Sequence, residues 1–445
     1  MLDIQYIRDN AELVADKSKQ KGYDVDITQL LGFDKERREL TQQTEELRQK
    51  RNTLASETKG QRPSDEQVQQ GRELKEQLAD LEHKLGSIDT EYTELLKAVP
   101  NMASDDVPVG ASEDANQVSK QVGEPTKFDF EPKSHNHIAT AKGWLDKERA
   151  AKVTGSRFAY IRGDLVKLQF AIIQFVMDKL SDQDFIDEII RDNKLSLSNK
   201  PFTPILPPFM LRTEVYDAMD RLEPQDDRYK IEGEELWLQG SAEHVLGSMH
   251  ADEIFTESDL PIRYIGYATS FRREAGTYGK DMEGMFRMHQ FDKLEMESIT
   301  TADTGLEEHQ LLIAIQEKLM QLLDIPYQVI QKCTADIGKP NARGIDIDAW
   351  LPSQNQYRET HTADYMTDYQ ARRLKTRVRT TTPAKISDGE VQAEATTNEF
   401  VHTNDATAIP LSRVPIAIIE NNQTAEGNVI IPDVLQSYMG GKTEI

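Results

Sequence analysis

Two stretches of apolar residues at coiled-coil spacing restrict what this chain can become. Phe33, Leu40, Leu47 and Leu54 recur every seven residues, with polar Arg37, Thr44 and Arg51 between them. Gly60-Gln61-Arg62-Pro63-Ser64 then interrupts, and Gly and Pro are the strongest punctuators of a helix. Leu74, Leu78, Leu81, Leu85, Ile88, Tyr92, Leu95 and Val99 follow, alternating steps of four and three. The pattern predicts two helices folded back as an antiparallel arm, with the second about 54 Å long at ~1.5 Å per residue. Two helices alone bury little, so the core must lie elsewhere in the 445 residues. Taken alone, such an arm reads as a dimerisation element or a spacer.

The length suits two or three domains. One cysteine, Cys333, excludes a disulfide framework and a cysteine-based zinc site within the chain, so no zinc is expected. The start, Met1-Leu2-Asp3-Ile4-Gln5-Tyr6-Ile7-Arg8, lacks an apolar signal core, and no stretch is apolar enough to span a bilayer, so a cytoplasmic protein without a membrane partner is expected. A net charge of −24 argues against a general nucleic-acid binder, because phosphate affinity comes from Lys and Arg. Local basic patches remain: Arg48, Lys50 and Arg51, and the run Arg372, Arg373, Lys375, Arg377 and Arg379.

The chemistry concentrates between Ile262 and Glu297. Ile262 to Glu274 is rich in Ile, Tyr and Phe and reads as a strand, followed by a polar glycine-containing loop and a return strand. Alternation puts Arg272 and Glu274 on one face, and Phe291, Lys293, Glu295 and Glu297 on one face of the return strand. Arg suits a phosphate, Phe a flat ring, and Glu a base edge or an ammonium. Elsewhere, Leu165 to Leu180 reads as an amphipathic helix with Leu168, Ile172, Phe175, Val176 and Leu180 inward. Phe202 to Pro208 reads as a short strand, and Asp346 to Pro352 as a strand and its end.

Phe271-Arg272-Arg273-Glu274-Ala275-Gly276, then His289-Gln290-Phe291-Asp292-Lys293-Leu294-Glu295, resembles motif 2 of the class II aminoacyl-tRNA synthetases in its seryl-tRNA synthetase version. Trp237 to Glu243 resembles that family's Thr-x-Glu signature, with Ser241 in place of Thr. Tyr357 to Thr362 and His402 to Arg413, with Ala417 to Asn421, resemble its later signatures, so the likeness covers nearly the whole chain.

The resemblance implies an α+β fold: a class II catalytic domain, mostly antiparallel sheet with helices, at residues 131–445. It implies an N-terminal tRNA-binding domain at 1–105, with the arm at 33–99 and a polar linker at 106–130. It implies activation of L-serine with ATP, then transfer to tRNA(Ser), with tRNA(Sec) as a further candidate, by a homodimer. Arg272, Glu274 and Arg413 would be catalytic. Arg272 would hold the α-phosphate and Arg413 the γ-phosphate, with Phe291 stacked on adenine. Arg273, Glu274, Thr360 and His361 would complete the ATP site, and Glu359 and Thr362 would hold Mg²⁺. Ser241, Ala242, Glu243, Arg272, Glu295 and Thr407 would bind serine, Glu295 through the ammonium.

One segment departs from the family. Where it usually has His-Thr-Leu-Asn-Gly-Ser-Gly-Leu-Ala, this chain has His402-Thr403-Asn404-Asp405-Ala406-Thr407-Ala408-Ile409-Pro410. Two glycines are lost and Asp405 replaces Asn. Pro410 predicts an edge or a bulge, and Pro415 fits only the first turn of a helix. Two other readings stay open: a class II paralogue that adenylates an amino acid for a carrier protein, and a non-catalytic tRNA-binding homologue.

Overall fold

The computed structural model describes residues 1–57, 59, 63–275, 284–382, 386–387, 390–391 and 395–445. It divides into two compact units, Met1–Met102 and Ala103–Ile445.

In the first unit, α1 (Ile4–Asp9) and α2 (Ala11–Gln20) precede the long α3 (Ile27–Glu57) and α4 (Asp65–Ala98). The arm helix starts earlier than the heptads suggest, because Asp26 accepts a hydrogen bond from the Gln29 amide at 2.8 Å and starts the helix. Ser64 opens α4 with a capping box: Gln67 N donates to Ser64 Oγ at 3.2 Å, and Ser64 N donates to Gln67 Oε1 at 2.9 Å. Arg37 pairs with Asp89 at 2.5 Å and Arg48 with Glu82 at 2.7 Å. Partners that fall along one chain as they rise along the other define an antiparallel pair. The seam is thin: Leu40, Leu74, Leu78 and Tyr92 are buried, while Phe33, Leu47 and Leu54 are partly exposed. Gly60, Gln61 and Arg62 of the expected break lie outside the described residues.

The second unit is built on an eight-stranded sheet among the described residues. Its strands are β1 (Gln117–Val122), β2 (Thr203–Ile205), β3 (Ile262–Phe271), β4 (Gln290–Thr300), β5 (Tyr327–Gln331), β6 (Arg343–Leu351), β7 (Gln356–Thr367) and β8 (His402–Pro410). The order is β1-β5-β6-β7-β8-β4-β3-β2, antiparallel throughout except for the β2–β3 pair. Helices α5 (Asp164–Leu180), α7 (Gly305–Leu322) and α8 (Val414–Asn421) contribute to one large apolar core with the sheet, and the short α6 (Glu243–Leu246) precedes β3. In α5, Leu168, Ile172, Phe175, Val176 and Leu180 are all buried, as the spacing predicts. Pro415 sits in the first turn of α8.

Three expectations change. The segment 106–130 is not a bare linker. It holds β1, which pairs with β5 as an edge strand, and Asp106 pairs with Arg343 at 2.7 Å. Its exposure removes the apolar alternation that would have marked it. Strand β3 ends at Phe271 rather than Glu274, because Glu274 turns into the left-handed region at φ 54°. Phe202 to Pro208 contributes only Thr203–Ile205 as strand. The loop residues Gly276 to Asp281 lie outside the described residues. No helix among those described is long and apolar enough to cross a membrane.

Arg263 of β3 and Glu308 of α7 are both fully buried and meet at 2.9 and 2.5 Å, with Ser298 donating to Glu308 at 2.8 Å. Removing one partner strands a buried charge. Arg263→Met should lower unfolding free energy by about 3–5 kcal/mol, read by denaturant titration. A loss below about 1 kcal/mol would mean that the pair is not held as described.

Candidate active site

Strands β4, β7 and β8 converge on one cavity. It is lined by Arg272, Glu274, Phe286, Arg287, Met288, Phe291, Lys293, Glu359, Thr360, Thr362, Thr407, Pro410, Ser412 and Arg413. The alternation of β4 brings Phe291 and Lys293 to it in turn and places Glu295 behind them. Arg272 is pinned where β3 ends: its Nε donates to the Gly240 carbonyl at 2.9 Å and its guanidinium lies 5.3 Å from the Phe291 ring centre. Arg413, at the start of α8, donates to Glu359 Oε1 at 2.8 Å and lies 4.7 Å from the Phe286 ring. Arg358 stands 4.4 Å from that same ring. Glu274 reaches the cavity through its turn and pairs with Arg287 at 2.5 Å.

A second group lies deeper. Lys293 Nζ is 2.5 Å from Glu295 Oε2 and donates to Thr407 Oγ1 at 3.2 Å. Thr407 Oγ1 donates to Glu295 Oε1 at 3.3 Å, and Ser241 Oγ donates to Glu295 Oε2 at 3.5 Å. Glu243, at the start of α6, lines the adjoining cleft with Arg221, Arg272 and Lys293. One oxygen from each of Glu243, Glu295 and Asp405 lies within 4.8 Å of the other two, a spacing that suits one small cation.

The altered segment keeps a continuous strand. Ala406 and Ala408 are fully buried without left-handed backbone, so the glycines of the family pattern are not required here. The register with β4 shifts between Thr407 and Ile409, the bulge that Pro410 predicts, although β8 lies inside the sheet. Pro410 is tolerated as its last residue.

Six expected residues are not in the cavity lining: Ser241, Glu243 and Glu295 form the deeper group, and Arg273, His361 and Ala242 join neither. Arg273 points into a separate cleft with Arg228, Tyr229, Lys230, Trp237 and His289. His361 is buried on the other side of β7 beside the Thr360 hydroxyl at 2.8 Å, and burial pushes its imidazole down to about 3. Ala242 packs against Leu246 and Ala268. Phe286 and Lys293 line the cavity but were not among the expected site residues. Lys293 shares the face and spacing of Phe291 and Glu295; Phe286 had no such signal.

Burial sets the electrostatics. It raises the Glu295 carboxyl, although Lys293 opposes it. Burial would also raise Glu243 and Glu359, but Arg221 and His244 hold Glu243 well down, and Arg413 and Lys332 hold Glu359 down. Burial, with Glu359 nearby, pushes Asp348 up to about 7. The same burial lifts Asp346 to about 8 against the pull of Lys332. Thr362 Oγ1 is buried without an aligned hydrogen bond, across the ladder from Asp346. A spare hydroxyl among crowded carboxylates is the donor set of a hard divalent cation. Two cations of the basic run near Arg372 are spent internally, Arg372 on Asp368 at 2.8 Å and Arg373 on Asp217 at 2.6 Å, while Lys375 and Arg379 are exposed.

Residues 1–103 match the seryl-tRNA synthetase N-terminal domain, and residues 228–422 match the tRNA synthetase class II core domain (G, H, P, S and T). A serine–tRNA ligase from Nitrosopumilus maritimus is 35% identical over 450 residues, covering 100% of both chains. One from Desulforapulum autotrophicum is 36% identical over 450 residues, covering 100% of this chain and 99% of its own. The crystal structure of seryl-tRNA synthetase from Pyrococcus horikoshii complexed with ATP matches with TM-score 0.85 and 35% identity, covering 100% of this chain and 99% of that one.

Beneath the cavity, Glu297 is almost fully buried and neither carboxyl oxygen makes a hydrogen bond. Burial, then Glu243 and Glu295, hold its carboxyl well above the usual range. The folded chain therefore keeps a proton that the unfolded chain releases above pH ~4.3, and stability falls as pH rises from there. Glu297→Gln should gain on the parent chain as pH rises above ~4.3, by up to about 1.4 kcal/mol per pH unit. Melting curves whose separation does not change with pH would show that Glu297 carries no such proton.

Proposed function

The chain belongs to the seryl-tRNA synthetases of class II, and on that premise we propose that it is a serine–tRNA ligase. The serine carboxylate displaces pyrophosphate from ATP to form seryl-adenylate, and the seryl group then passes to tRNA(Ser) with release of AMP. The observation that carries this reading is the hydroxyl-and-carboxylate group of Ser241, Glu295 and Thr407 set directly behind the Arg272–Phe291–Arg413 cavity.

The serine carboxylate is ionised at neutral pH, with a free pKa near ~3.5. It attacks the α-phosphorus without a general base, so the protein's task is alignment and charge neutralisation. Arg272 grips the α-phosphate and Arg413 the γ-phosphate. Phe291 offers its face to adenine, with Phe286 as a second aromatic wall, and Glu274 faces the adenine or the acceptor end of the tRNA. Glu359 and Thr362 would hold Mg²⁺, which supplies further neutralisation of phosphate charge when bound. Glu243 and Glu295 take the ammonium, and Ser241 and Thr407 frame the hydroxyl side. A site that hydrogen-bonds a substrate hydroxyl rejects the analogue lacking it by roughly 10⁴-fold or more, which supports discrimination against alanine without a separate editing domain. Arg273 and His361, expected at the ATP site, are given no role there.

The arm serves tRNA recognition through shape and backbone. The protein works as a cytoplasmic homodimer. Exposed apolar Phe170 on α5 and Leu206 just after β2 support a covered surface there.

ATP–pyrophosphate exchange across all twenty amino acids should respond to serine and depend on Mg²⁺. Arg272→Lys, which keeps the charge and loses the fork, should lower that exchange about 10²–10³-fold. Exchange with another amino acid and none with serine would refute the assignment, and a near-normal Arg272→Lys enzyme would refute the α-phosphate role.

Deleting residues 33–99 should leave serine-dependent exchange largely intact while tRNA aminoacylation falls strongly. Equal loss of both steps in a folded protein would make the arm a structural support instead.

A further inference from the structure

We propose that Arg221 is a positioning residue of the amino-acid pocket: its guanidinium fixes Glu243 and offsets the carboxylates of Asp405 and Asp364. This rests on the reading of that pocket as the serine site. It assigns a role to a residue outside every motif described above.

The need for such a residue follows from the ladder. Asp364 of β7 pairs with Asp405 of β8, and Asp405 pairs with Glu297 of β4. Directly opposed residues share a face, so three acids stand in a row across three adjacent strands, where like charges repel. All three are buried, and both oxygens of Asp405 and of Glu297 lack hydrogen bonds. Glu243 and Glu295 add two more carboxylates beside Asp405. The Asn of the family pattern brings no acid here, whereas Asp405 puts a further carboxyl group in the middle of the row.

Arg221 enters this group from the turn after the helix Thr213–Ala218. Its Nε lies 2.8 Å from Glu243 Oε1, close but not aligned as a hydrogen bond. Its Nη2 stands 3.8 Å from Asp405 Oδ1 and 4.0 Å from Asp364 Oδ2, and donates to Asn341 Oδ1 at 3.1 Å. The Arg221 carbonyl accepts from Arg228 Nε at 3.2 Å, which fixes the backbone from which the side chain projects. One planar cation thus addresses three carboxylates from three separate elements. Lys293 is committed to Glu295 and Thr407 and does not replace it. Glu243 meets the substrate ammonium, so the orientation that Arg221 imposes on it governs serine affinity while leaving the ATP cavity alone.

The test is steady-state serine-dependent ATP–pyrophosphate exchange on the full-length protein, with serine and ATP varied separately. Arg221→Gln should raise the serine KM about tenfold or more, while the ATP KM stays within about twofold. Asp405→Asn alone should have a smaller effect. Adding Asp405→Asn to Arg221→Gln should recover at least about threefold of the loss, because contacting residues couple. Arg221→Lys, which restores charge without the fork, should fall between the parent and Arg221→Gln, and it supplies the comparison if Arg221→Gln does not fold. Equal rises in both KM values, an unchanged serine KM, or no recovery in the double variant would each overturn the proposal. A parent protein without serine-dependent exchange would overturn the functional reading instead.

Discussion

The catalytic unit depends on keeping many carboxylates in one apolar setting. Glu295 and Glu297 on β4, Asp346 on β6, Glu359 and Asp364 on β7 and Asp405 on β8 all project from neighbouring strands of one sheet. An unpaired buried charge is far too costly to keep, so each group must find a cation or hold a proton. The outcomes differ by position. Glu243 and Glu359, beside Arg221 and Arg413, stay ionised, whereas Glu297 and Asp405 are driven toward the neutral acid. A site arranged in this way accepts cationic groups readily, whether the ammonium of an amino acid or a divalent ion beside phosphates.

This balance also bears on the protein's acidity. The chain carries 77 acidic against 53 basic residues, yet many arginines of the catalytic unit are not displayed to solvent. Arg263 serves the core, Arg221 the pocket, and Arg373 bridges Asp217 and Asp220. Cations held internally cannot attract a polyanion at long range. Contact with RNA then relies on geometry and backbone shape more than on a long-range field.

Where periodicity governs, the sequence was readable. The inward face of α5, the alternation of β4 and the first-turn place of Pro415 all follow from spacing and from the chemistry of proline. Where a single backbone angle or a lone contact governs, it was not. Glu274 leaves the strand because of one positive φ and reaches the cavity beside Arg272 through a turn, not through strand alternation. Arg273 follows Arg272 in the chain but faces another cleft. Strand β1 is polar because it is an edge, so composition alone made it resemble a linker. Arg221 lies in a run with no periodic signal, and its partners are distant in sequence. Such residues become visible only when the sheet brings their partners together.

The two margins of the sheet share a property. At one side β2 is three residues long and contains Pro204, which has no amide hydrogen to offer. At the other, β1 is solvent-facing and carries Lys120. Neither rim is a good template for another extended chain, because one lacks length and a donor and the other carries charge. The folded protein is therefore poorly suited to joining rim to rim with a neighbouring molecule. A second copy that meets the β2 side must be recognised by the shape and polarity of side chains, since continuation of the hydrogen-bonded ladder is blocked there.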